Sequence, residues 1–282
     1  MPGYIYYTIL SVFGIALAIF VIFKSKERMK LLLFFFFAAV LADCGEVLVL
    51  VLLNSYKYKP GLFTDPFCED VFGHILPNST LWPATAVLVA SYSFRYWWIF
   101  VITFVYVLLD VLFVRLGIYE HYWWRTWMTG IAIFAYCILM RFWYKRLEDI
   151  RFVIFRFITF SFVLLAFTFL PFVPLLLTGK QFYVTGIFDN IYKDSVVFAF
   201  FYHLLITPIC TVIICNSTRW YLKLTSLPIF IIGDWIFYLV GILRFSNGWS
   251  IYYYLMVEAI SIILYIVLEK NYRFKPTLKY SP

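Results

Sequence analysis

Long apolar stretches alternate with short polar joints along this chain, and the joints recur. Tyr58, Gly61, Leu62 and Phe63 return as Tyr183, Gly186, Ile187 and Phe188. Arg95-Tyr96-Trp97 returns as Arg219-Trp220-Tyr221, Asp110 as Asp234, and Gly117-Ile118 as Gly241-Ile242. Between the joints the apolar runs approach about 20 residues, the length of a helix that crosses the hydrocarbon core of a bilayer. Nine spans are expected: 4–23, 31–53, 78–94, 96–116, 123–143, 152–178, 195–215, 221–243 and 249–268. Pro83 falls near the start of the third, where a helix tolerates proline because no backbone donor is lost. Pro171 and Pro174 predict a kink or an early end in the sixth. Residues 54–77 read as the longest outer loop, rich in Pro, Gly and Asp.

The expected fold is an all-α polytopic transmembrane helical bundle. An extra N-terminal helix with its basic loop (1–30) precedes two four-span repeats (31–146 and 147–270) and a cytoplasmic tail (271–282). An even number of spans in each repeat makes the copies parallel, with a shared site expected between them.

Composition supports lipid as the solvent. Hydrophobic residues make up 64% and charged residues 13%, against roughly 45–50% and about 25% in soluble domains. Aromatic residues reach 23%, more than interfacial belts of Trp and Tyr use. The remainder must fill helix interfaces, face lipid or line a cavity.

The net charge of +8 does not point to nucleic acid, because the basic residues sit in short joints beside apolar runs and form no polar face. They report orientation instead. With the N-terminus outside, the cytoplasmic ends hold Lys24, Lys26, Arg28, Lys30, Arg95, Arg141, Lys145, Arg146, Arg151, Arg219, Lys223, Lys270, Arg273, Lys275 and Lys279. The outer segments hold Lys57, Lys59, Arg115, Arg125, Lys180, Lys193 and Arg244. Arg156 lies within the sixth span, near its cytoplasmic end, where it can snorkel. This bias predicts an N-out, C-in protein of the plasma membrane. The first run is followed, not preceded, by basic residues, so it reads as a span and not as a cleaved signal.

The five cysteines form no metal or redox spacing, and no cofactor is expected. Six ionisable residues stand inside apolar runs: Asp43, Glu46, Asp110, His203, Asp234 and Glu258. Each is costly in a bilayer and usually faces a bundle interior. Their depths allow all six to meet in one hollow open to the outer side. The plainer alternative for Asp110 and Asp234 is a local polar contact, with Arg115, Arg125 or Arg244 as partners. For His203 it is an interhelical hydrogen bond. Asp65, Glu69 and Asp70 have a weak metal-like spacing in the outer loop. No GxSxG, Walker A, HExxH or DDxxD run is present.

His203-Leu204-Leu205-Ile206-Thr207-Pro208, Cys215-Asn216-Ser217-Thr218-Arg219-Trp220, Asp234 and Gly248-Trp249-Ser250 resemble a family of polytopic membrane proteins of spore-forming bacilli and clostridia, to which no function attaches. The first half matches through Leu81-Trp82-Pro83, Asp110, Gly117 and Trp123-Trp124. The order Asp234-Trp235, Gly248-Trp249, Val257-Glu258 is also similar to one half of the integral-membrane lycopene and terpenoid cyclases, without their paired Glu-Glu. That second likeness implies an enzyme using Glu46, Asp110, Asp234 and Glu258 as candidate acids on an isoprenoid. The residues themselves support a non-catalytic protein that binds a membrane lipid or small solute between its repeats, or a membrane interaction protein.

Overall fold

The computed structural model describes residues 2–147 and 153–272. The basic positions Arg151, Arg273, Lys275 and Lys279, and the tail beyond residue 272, lie outside the described residues. Among these residues, eight helical segments are long and apolar enough to cross a membrane.

Helix α1 (Gly3–Lys24) buries Gly3, Tyr7, Ser11, Gly14, Ala18 and Val21 at steps of three and four. Small residues on such a stripe let helix backbones approach closely where lipid supplies no hydrophobic drive between helices. The stripe faces α3, and a Cβ on Gly14 would stand 2.7 Å from the Leu81 backbone nitrogen. Ile9, Val12, Phe13, Ile19 and Phe20 cover the exposed side. The first helix is therefore built into the bundle.

Helix α2 (Arg28–Glu46) continues into a π-helical stretch, Val47–Leu52. A short strand β1 (Tyr56–Tyr58) follows, then α3 (Pro66–Ser91), α4 (Tyr96–Arg115), β2 (Tyr119–His121) and α5 (Thr126–Arg146). The second half runs α6 (Val153–Phe169), α7 (Phe172–Leu177), β3 (Gln181–Tyr183), α8 (Ile191–Asn216), α9 (Trp220–Lys223), α10 (Ser226–Leu239), β4 (Leu243–Phe245) and α11 (Ile251–Asn271). The break expected at Pro171 and Pro174 separates α6 from α7.

Helix α3 corrects the expected third span. It begins at Pro66, not near residue 78, so half of the expected outer loop is helical and Pro77 and Pro83 both lie inside the helix. Asp65 starts it by accepting from the Phe67 and Cys68 amides at 2.9 and 3.0 Å, a cap worth about 0.5–2 kcal/mol. It is too polar to count among the eight apolar spans.

Two small antiparallel strand pairs, each joining strands separated by helices, were not foreseen. In one, Tyr56 pairs with His121 and Tyr58 with Tyr119; in the other, Gln181 pairs with Phe245 and Tyr183 with Leu243. The recurring glycine joints now have a physical cause. Gly61 and Gly186 adopt φ of 75° and 78°, which only glycine takes freely. Each turn wraps its amides around one carboxylate. Glu69 accepts from Gly61 and Leu62 at 2.5 and 2.6 Å and from Phe63. Asp194 accepts from Thr185, Gly186 and Phe188 at 2.6, 2.9 and 3.4 Å.

Both strand pairs lie at the same end of the molecule, since Asn190, which caps α8, donates to Asp65 at 3.1 Å. The halves meet chiefly along α2 and α6. Phe36 and Phe37 of α2 face Phe167 and Phe162 of α6, with ring centres 4.9 and 5.8 Å apart. That seam is filled by side chains, so the hollow expected between two repeats is not found there.

Candidate functional site: an acidic aromatic cavity

The site is built on β1. Alternation along a strand places Tyr56 and Tyr58 on one face, directed at the end of α2. The Tyr56 hydroxyl donates to Glu46 Oε2 at 2.7 Å, and the Tyr58 hydroxyl reaches Oε1 at 3.4 Å. Burial, followed by the Glu46 charge, holds both phenols well above their ordinary pKa, so both remain donors. Glu46 is the last residue before the helix widens into its π-helical stretch, a distortion common beside functional sites.

Behind this group lies a cavity of about 360 Å³, within the range of small-molecule sites. Glu46 and Asp110 contribute its two carboxyl groups. Its walls include Tyr7, Tyr56, Tyr58, Trp82, Tyr119, Trp124 and Tyr136. The rings brace one another: Tyr58 and Tyr119 lie 5.0 Å apart, Tyr56 and Trp124 5.5 Å, and Trp82 and Tyr136 5.0 Å. Ala42, Gly45, Ala132 and Ala135 form the small part of the wall. All of these residues belong to the first half of the chain.

Asp110 is held from β2 and from α5. It accepts from the Thr126 and Thr129 hydroxyls at 2.7 and 3.0 Å and lies 3.2 Å from His121 Nε2. The arginines considered as partners from the sequence are replaced by His121, a residue not singled out there. Asp43 is buried one turn before Glu46, facing the Asn78 side chain.

The other three predicted residues lie elsewhere. Asp234 accepts from the Tyr183 hydroxyl at 3.0 Å, and Tyr183 meets the Tyr254 hydroxyl at 3.1 Å. Glu258 faces Asp234 within hydrogen-bonding reach, carboxyl to carboxyl. His203 is buried among Phe169, Tyr202 and Phe230 with no hydrogen bond to either ring nitrogen, so the expected interhelical bond is absent. The six ionisable residues thus divide into a cavity-lining pair with Asp43 nearby, and a packed group in the second half.

The carboxylates of the joint before α3 are already occupied. Asp65 caps the helix, Glu69 binds the turn, and Asp70 accepts from the Tyr58 amide at 2.7 Å. Among the described residues no group of three potential ligands could hold a metal ion. The sequence signal that could have revealed the cavity was the alternation Tyr56, Tyr58 beside Glu46, repeated in part by Tyr119 and His121. The chain matches no family model, no curated protein and no solved structure.

Proposed function

We propose that the chain is a multi-pass protein of the bacterial plasma membrane, N-terminus outside, that holds a lipid or small organic molecule in the cavity of its first half. Eight apolar helices and the bias of Lys and Arg support the membrane setting. Two parallel units are supported by the two matching strand pairs and by the Asn190–Asp65 contact between equivalent helix starts. The observation that carries the ligand reading is the aromatic cavity itself, a largely apolar hollow with two convergent carboxyl groups on its wall.

The enzyme reading, with an isoprenoid substrate, is less well supported. Of the four acids it relies on, Glu46 and Asp110 line the aromatic cavity, but Asp234 and Glu258 pack with Tyr183 and Tyr254 away from its wall.

Gly45→Leu supplies the test, because a Cβ at Gly45 meets nothing within 4 Å and the longer side chain enters the cavity. Mass spectrometry of organic extracts from the purified full chain should show a co-purifying molecule with the wild type that is depleted in Gly45→Leu and in Ala135→Trp. Identical extracts from all three would refute a ligand in this cavity.

A further inference from the structure

The chemistry of the cavity wall restricts what can occupy it. It carries two carboxyl groups, Glu46 and Asp110, and among the described residues no Lys, Arg or His lines it. Asp110 is engaged by His121, Thr126 and Thr129. Glu46 is engaged by the phenols of Tyr56 and Tyr58 and by the Asn78 amide, none of them basic. Hence Glu46 is the carboxyl group on the wall with no basic partner, although it is only 7% exposed. A buried carboxylate is strongly unfavourable unless an opposite charge accompanies it.

The rings supply the second half of the argument. Tyr56, Tyr58, Tyr119 and Trp124 surround the Glu46 end with centre-to-centre spacings of 5.0 to 5.7 Å. Aromatic faces attract organic cations, most strongly away from water. An anionic head, such as a phosphate or a fatty-acid carboxylate, would meet two carboxyl groups and the negative faces of these rings with no cation to receive it. The rest of the wall, including Leu10, Leu41, Leu109 and Leu139, suits an apolar body.

We infer that the cavity selects an organic monocation, an alkylammonium with an apolar body, whose charged head lies between Glu46 and the tyrosine cluster. This rests on the ligand reading above and names the chemical class of its ligand. It also gives the Tyr–Glu contacts a purpose: the phenols fix the carboxyl group, while the ring faces and Glu46 together replace the water around the cation.

The test uses the full chain in nanodiscs of zwitterionic lipid with three probes of one chain length: octyltrimethylammonium, octanol and octanoate. Binding is followed by tryptophan fluorescence and confirmed by native mass spectrometry. Octyltrimethylammonium should bind saturably and at least about tenfold more tightly than octanol, the ratio expected when one charge-dependent contact adds about 1.4 kcal/mol. Octanoate should not bind. Glu46→Gln should remove the preference for the cation while leaving octanol binding in place, which also shows that the variant is folded. Equal binding of cation and alcohol, both abolished by Gly45→Leu, would overturn the cation selectivity and leave the ligand site standing. Insensitivity of every probe to Gly45→Leu and Ala135→Trp would overturn the site as well.

Discussion

Asp110 and Asp234 occupy corresponding places in the recurring sequence, yet their surroundings predict opposite responses to the same substitution. Asp110 receives two threonine hydroxyls at 2.7 and 3.0 Å and has His121 at 3.2 Å. A hydrogen bond to a charged group contributes about 1.5–3 kcal/mol. Asp110→Asn keeps one oxygen but turns an NH₂ donor towards a cluster of donors. The threonines can rotate; the cluster still loses at least one charge-assisted contact. The expected cost is about 2–4 kcal/mol. Asp234 accepts a hydrogen bond from the Tyr183 hydroxyl and stands within hydrogen-bonding reach of Tyr202 and of the Glu258 carboxyl group. In Asp234→Asn the amide oxygen retains Tyr183, and the new NH₂ can donate to Glu258. Two facing carboxyl groups become a complementary pair, so the change should be within about 1 kcal/mol of neutral or stabilising. Equilibrium unfolding in mixed micelles, titrated with a denaturing detergent and read by near-ultraviolet circular dichroism, measures both. Equal losses, or a larger loss for Asp234→Asn, would refute this account of the two aspartates.

Two further outcomes are expected. A Cβ on Gly73 would lie 2.3 Å from Tyr58 Cβ, so Gly73→Ala must displace the tyrosine from Glu46; overpacking of this kind costs about 1–3 kcal/mol, and wild-type thermal stability of Gly73→Ala in detergent would contradict the packing. Lys223 donates to Glu269 where both are buried. Lys223→Met alone should cost about 3–5 kcal/mol by stranding the carboxylate, whereas Lys223→Met combined with Glu269→Leu should recover most of it; a double variant no better than the single would show that the pair does not act as a unit.

The apolar helices were legible because hydropathy over about 20 residues is a strong signal. The start of α3 was not, for a specific reason. Glu69, His74 and Asn78 are buried in the helix, yet in a hydropathy window they read as loop. Glu69 is buried by the turn amides it collects outside the helix, and His74 by turning its ring onto the Asp70 carbonyl one turn earlier. The strands have three residues each, too few for a period of two to register. For the site, sequence placed the acids by depth along the membrane normal but not by direction around each helix. Glu46 and Asp110 converge on one cavity, whereas Asp234 and Glu258 turn to each other. Phe36, Phe37, Phe162 and Phe167 close the seam that had been expected to hold the hollow.

The difference between the halves comes from side chains more than from backbone. Both strand pairs set a tyrosine, Tyr58 or Tyr183, two residues after the start of the first strand, and each tyrosine amide bonds a side chain at the start of the following helix, Asp70 or Ser195. In the first half, His121 of β2 and the two threonines of α5 hold Asp110, leaving Tyr56 and Tyr58 to bond Glu46 directly on the cavity wall. In the second half, Gln181 stands where Tyr56 would be, and Pro171 precedes α7 where Glu46 precedes the π-helical stretch. Without a glutamate to receive it, the Tyr183 hydroxyl turns to Asp234 and Tyr254, and its ring packs against Phe172 and Phe198 at 5.6 and 5.2 Å. The same tyrosine that walls a cavity in one half fills the core of the other, and what decides between the two is whether a glutamate ends the preceding helix.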